Sequence, residues 1–168
     1  LHIQAWGKNI DEITNCGFEI GNLSTPGMLV FAKIPITKEG CEAAKQLSKA
    51  KIAITFTACY EVKQVLIASA IGASYIAPYL GRITDSGRDG LTELIRMQKI
   101  LHGIQSKTKI LAASIREADE INNLAMHGVK VFTINSKIAE ELFTSKQTLE
   151  ASIQFEEDTL YKKDELNH

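Results

Sequence analysis

No apolar run in this chain of 168 residues approaches the ~20 residues that a membrane-spanning helix needs, and no signal peptide is recognisable. Basic charge shows no excess either. Nineteen Lys and Arg against 20 Asp and Glu leave a formal net charge of -1, which gives no footprint for nucleic acid or a membrane surface. The three cysteines, Cys16, Cys41 and Cys59, are odd in number and without CxxC spacing, so free thiols in a reducing compartment are expected rather than a disulfide framework. The histidines (His2, His102, His127, His168) are scattered, and no metal site is expected. There is no GxGxxG or Walker A loop, which argues against a nucleotide-binding domain, and no cofactor is expected. The string KDEL, Lys163 to Leu166, is followed by Asn167 and His168, so it is not a retention signal, which is read at the very C-terminus. Cytoplasm is the expected location, or a plastid if a transit segment has been lost.

Alternation is the positive signal. Short runs rich in Ile, Val, Ala and Thr (His2–Trp6, Met28–Ile34, Ile52–Thr57, Tyr75–Ala77, Ile110–Ala113, Val129–Thr133) predict six buried strands. Between them, amphipathic patterns predict helices at Ile10–Gly17, Lys38–Lys49, Glu61–Gly72, Leu91–Gln105, Glu117–His127 and Ile138–Phe143. Thr37 is placed to cap the second helix, and Gly72 and Gly128 sit where helices should stop. A last segment, 146–165, carries Leu149, Ile153, Leu160 and Tyr161 in a charged background. It predicts a C-terminal helix packed on the body or on another subunit. With no linker, 1–168 is one domain. Six βα units imply a parallel sheet, either doubly wound or part of a barrel, and length alone favours the former.

Several polar side chains fall where chemistry could use them. Lys33 interrupts the apolar run Met28–Ile36. Burial disfavours an ammonium ion and favours the free, nucleophilic amine, although a lysine at a strand end can also snorkel to solvent. Thr55 and Thr57 share one strand face, and Gln4 is polar within the first run. Tyr79 and Arg82 lie in a loop after a strand, where α/β proteins keep their function. Ser114 precedes a predicted helix, as an N-cap or as a phosphate seat.

In order and spacing, Phe31-Ala-Lys-Ile-Pro-Ile-Thr-Lys-Glu-Gly40, Thr55-Phe-Thr-Ala-Cys-Tyr60, Tyr75-Ile-Ala-Pro-Tyr-Leu-Gly-Arg-Ile83 and Ile110-Leu-Ala-Ala-Ser-Ile-Arg116 resemble the small transaldolases and fructose-6-phosphate aldolases. The likeness continues to Phe155-Glu-Glu-Asp. It implies a (β/α)8 TIM barrel of the class I aldolase type, assembled into rings through an exchanged C-terminal helix, here 146–165. It also implies cleavage or formation of the C3–C4 bond of a ketose phosphate such as fructose 6-phosphate, in pentose phosphate metabolism. By the same resemblance Lys33 is the Schiff-base lysine. Gln4, Thr57 and Tyr79 hold a proton-moving water, and Arg82 and Ser114 bind the substrate phosphate. The Gln4 and Tyr79 pair resembles the aldolase branch, since transaldolases tend to carry Glu and Phe there.

The first strand matches the family's third. Two βα units, with an aspartate and an asparagine used in catalysis, therefore have no counterpart, and the chain, opening on Leu1 inside a strand, reads as partial. The missing part is expected upstream. The alternatives are completion of the barrel by another chain, or an inactive homologue serving as a binding or assembly subunit.

Overall fold

The computed structural model describes residues 1–165; residues 166–168, which close the KDEL string and include His168, lie outside the described residues. Six strands form one all-parallel sheet: β1 (His2–Gln4), β2 (Phe31–Pro35), β3 (Ile54–Cys59), β4 (Tyr75–Pro78), β5 (Lys109–Ala112) and β6 (Val131–Phe132). Their spatial order is β1-β2-β3-β4-β5-β6, the same as in sequence. A doubly wound sheet reverses its strand order at a switch point. None occurs here, so the open-sheet alternative is set aside, and the curled sheet with its helices fits part of a TIM-like barrel.

Period two sorts the strand residues. Ala32, Ile34, Ile54, Phe56, Ile76, Ile110 and Ala112 point outward and are sealed beneath the helices, none more than 2% exposed. Each large side chain among them contributes roughly 1.5–3 kcal/mol by leaving water. The opposite parity (Gln4, Lys33, Thr55, Thr57, Ala77, Leu111) faces the concave side.

The helices that seal the outer face begin and end where the chain allows. Asn9 caps α1 (Ile10–Gly21) by accepting from the Glu12 amide. Thr37 caps α2 (Lys38–Lys49) by accepting from the Gly40 amide at 3.0 Å, as predicted. After α3 (Gln64–Ile71), Gly72 takes the left-handed conformation at φ 80, a stop that glycine makes without steric cost. A six-residue helix, α4 (Leu80–Asp85), was not expected from the sequence and follows β4 directly. Then come α5 (Gly90–Gly103), α6 (Ala118–Met126), α7 (Ser136–Glu141) and α8 (Lys146–Glu165). α8 exposes every one of its described side chains, including Leu149 at 63%, Ile153 at 48% and Phe155 at 69%. Leu160 and Tyr161 lie outside the described side chains.

Gly40 ties β2 to α2. A Cβ there would stand 2.0 Å from the carbonyl oxygen of Pro35, two residues beyond Lys33. Backbone rather than a yielding side chain meets it, so Gly40→Ala should cost about 2 kcal/mol through overpacking. The check is a lower urea midpoint at unchanged slope.

Candidate active site

Of the concave residues named above, Gln4 ends β1, Lys33 lies mid-way along β2, and Thr57 lies in the carboxyl half of β3, the end at which parallel barrels place their chemistry; Thr55 lies one layer below Thr57. Register brings them side by side. Gln4 pairs with Lys33, Lys33 with Thr55, and Pro35 with Thr57. Lys33 is half-buried, and among the described residues no carboxylate pairs with it. Gln4 donates through Nε2 to the carbonyl oxygens of Lys33 (2.9 Å) and Ala5 (3.0 Å). Both amide hydrogens are thereby used, which leaves its side-chain carbonyl oxygen as the group's acceptor.

Thr57 is buried, and its hydroxyl lies 2.7 Å from the Tyr79 hydroxyl. Tyr79 reaches it because its amide donates to the Cys59 carbonyl at 3.2 Å and because the chain turns into α4 at Leu80. Each hydroxyl has one donor hydrogen and two lone pairs, so the pair retains capacity for a further partner such as water.

Arg82 projects from α4, with its guanidinium carbon 4.7 Å from the Tyr79 ring centroid, a cation–π distance. Its Nη1 donates to the Tyr60 hydroxyl at 3.5 Å. That contact, more than any other, raises the guanidinium's pKa further, so Arg82 is a standing positive charge. No carboxylate pairs with Arg82 among the described residues.

Ser114 is not a helix cap. It lies at φ 62, and its carbonyl accepts from the Gly81 amide at 3.0 Å. α6 starts four residues later, where the Glu120 carboxylate accepts from the amides of Arg116 (2.8 Å) and Glu117 (3.3 Å). A Cβ on Gly81 would stand 2.6 Å from the Ser114 carbonyl oxygen and 3.0 Å from its hydroxyl. Only glycine admits this approach, so Arg82 and Ser114 flank one seam between α4 and the loop after β5.

Two residues at the site drew no role from the sequence. His2 accepts or donates at Nδ1 to the Thr55 hydroxyl (2.7 Å) and stacks on Phe31, with Tyr75 set edge-on to both rings. Burial first, then the N-terminal amine and Lys33, lower its pKa below the usual imidazole value. This cluster floors the concave face beneath Lys33. Tyr60 is the other. Its only signal was its place three residues past Thr57, at a strand-to-helix loop.

Among the described residues no group of three His, Cys, Asp or Glu is placed to hold a metal, and no helix is long and apolar enough to cross a membrane.

The family model for Transaldolase/Fructose-6-phosphate aldolase matches residues 19–168. This chain belongs to that family. Probable transaldolases are among the relatives it matches. That of Oceanobacillus iheyensis is 35% identical over 67% of this chain and 53% of its own length, and that of Carboxydothermus hydrogenoformans is 34% identical over 75% and 59%. One from an Exiguobacterium species is 32% identical over 82% of this chain and 69% of its own length. The chain thus spans little more than half of the first two relatives. β1 and Gln4 precede the part that the family model covers. Among solved structures, a flavocytochrome b2 mutant with pyruvate bound aligns at a TM-score of 0.59 and 14% identity, covering 79% of this chain and 41% of that one. A mandelate oxidase mutant aligns at 0.57 and 11%, covering 79% and 47%. At such identities the likeness shows the fold alone.

Cys59 lies just past Thr57, wholly buried, and burial pushes its thiol up to about 12. Cys16 and Cys41 are half-buried. Ellman's reagent at pH 8 should therefore titrate two thiols in the native chain and a third only after unfolding. The fold favours the neutral Cys59 thiol, so its contribution to stability is intact below the ordinary 9.0 and is lost as pH rises from there toward about 12.

Proposed function

We propose that Lys33 is the Schiff-base nucleophile of a transaldolase or fructose-6-phosphate aldolase reaction on a ketose phosphate. The observation that carries this reading is the convergence of Gln4, Lys33 and the Thr57–Tyr79 hydroxyl pair on one face, with the unpaired cation Arg82 beside Tyr79. The amine lone pair of Lys33 adds to the ketose carbonyl carbon, and the oxygen takes up a proton. Loss of that oxygen as water leaves an iminium. As the C3–C4 bond breaks, its electrons pass to the iminium nitrogen and the C4 hydroxyl gives up its proton, so an aldehyde departs and an enamine remains. A water held by the Gln4 carbonyl oxygen and the Thr57–Tyr79 pair carries the protons, as general acid–base catalysis requires. The substrate phosphate lies between Arg82 and the Ser114 hydroxyl.

The Gln4 and Tyr79 pair favours the aldolase branch, in which free dihydroxyacetone serves as donor. The same reading gives α8 to a neighbouring copy in a homo-oligomer, because Leu149 and Ile153, one turn apart, and Phe155 are all exposed on it.

Sugar-dependent borohydride reduction followed by mass spectrometry tests the proposal. Dihydroxyacetone and fructose 6-phosphate should each leave a reduced adduct on Lys33, and Lys33→Met should abolish it. An adduct persisting in that variant would move the role to another lysine. A folded wild-type chain that takes no adduct would instead favour a binding or assembly subunit without turnover. Thr57→Val, which removes one half of the hydroxyl pair, should slow adduct formation at least tenfold, on the order of the loss of a general acid–base device.

A further inference from the structure

We infer that Tyr60 is a positioning residue that sets the Arg82 guanidinium for a phosphorylated substrate and so governs discrimination between phosphorylated and unphosphorylated sugars; this rests on reading Arg82 as the phosphate arm. Arg82 is exposed, and a long exposed side chain samples many rotamers unless neighbours restrict it. Two neighbours do. The Tyr79 ring supports the guanidinium at 4.7 Å, and the Tyr60 hydroxyl accepts from Nη1 at 3.5 Å. The two tyrosines are held to each other edge to face, with ring centroids 5.6 Å apart and planes at 88°. Arg82 is thus restricted on one face and at one nitrogen, while its other N–H groups stay available to an anion.

The loop that carries Tyr60 is fixed far more firmly than an incidental contact needs. Ala58 adopts a left-handed φ of 53, and the pairing of β3 with β4 shifts register between Phe56 and Cys59. A non-glycine residue keeps such a conformation only where its surroundings over-determine it. Those surroundings are present. Gln64 Oε1 accepts from the Tyr60 amide at 3.0 Å and from the Glu61 amide at 2.9 Å. Arg88 donates to the Tyr60 carbonyl at 3.0 Å and is itself anchored by Glu61 and Glu93. The backbone of Tyr60 is clamped on both sides, which delivers its hydroxyl to one place, beside Arg82.

The Tyr60 hydroxyl is not among the partners of the Thr57–Tyr79 hydroxyl pair; it meets Tyr79 through its ring and Arg82 through its oxygen. Its removal therefore weakens recognition of the phosphate more than attack by the amine. Tyr60→Phe deletes the oxygen and keeps the ring, so the edge-to-face contact and the fold survive.

The test measures the concentration of fructose 6-phosphate, and separately of dihydroxyacetone, that half-saturates borohydride trapping on Lys33. It uses the wild-type chain, Tyr60→Phe, Arg82→Lys and the double variant. A single long hydrogen bond predicts about a threefold rise for fructose 6-phosphate in Tyr60→Phe, with the dihydroxyacetone value moving little and the maximal extent of trapping unchanged. In the Arg82→Lys background the same substitution should add almost nothing, because it acts through the guanidinium. A normal wild-type adduct with no change in Tyr60→Phe overturns this inference alone. So does an equal rise for both sugars, which marks a structural role. A folded wild-type chain that traps neither sugar overturns the Lys33 reading and this inference with it.

Discussion

The strict period of two along parallel strands is the constraint on which everything else depends. A strand in this sheet can offer only one face to the helices, and the apolar residues Ile34, Phe56, Ile76 and Ile110 claim it. Whatever lies between them in sequence is directed to the concave side. Lys33 stands there because Ala32 and Ile34 are packed outside. A one-residue slip of β2 would bury the lysine under α1 and α2 and expose Ile34, at a cost of several kcal/mol. Core packing therefore holds the candidate nucleophile on its face without any contact to the lysine itself.

Register then does what alternation alone cannot. Sequential parallel pairing sets Gln4 and Thr55 on either side of Lys33 and Thr57 one step beyond, although the set is drawn from three separate strands of the sequence. The segments that follow carry Tyr79 to Thr57, and Arg82 and Ser114 to either side of Gly81, and each depends on a local device. For Arg82 and Ser114 it is the absence of a side chain at Gly81, and for Tyr79 it is the immediate turn into α4.

How much of this was legible in the sequence follows from which forces act locally. The strands were legible because buried β-branched runs are contiguous, and Thr37 and Gly72 announced a helix start and a helix stop by their own chemistry. α4 was not. Six residues with a glycine among them carry no periodic signal, and the helix exists because Leu80 and Ile83 are buried against their surroundings. Ser114 looked like a cap because serine usually is one. It is left-handed in the folded chain, where its carbonyl accepts from the Gly81 amide, a contact between distant segments that leaves no local pattern. Tyr60 stood in plain view within a motif. What gives it a partner is the bulge at Ala58 and the clamp from Gln64 and Arg88, none of which leaves a pattern in sequence.

The concave face is not uniform, and the difference bears on the chemistry. Along β3, β4 and β5, Thr55, Thr57, Ala77, Leu111 and Ala113 form a buried wall, with Tyr75 half-buried and Lys109 exposed at its amino-terminal edge. His2, Gln4, Phe31 and Lys33, on β1 and β2, are half-buried, and Lys33 stands on the strand next to that wall. The wall supplies fixed hydroxyls in a low-dielectric setting, where a hydrogen bond is stronger than in water. In the proposed reading these hydroxyls handle protons while the half-buried Lys33 offers the amine, so alternation and register together divide the two tasks between neighbouring strands.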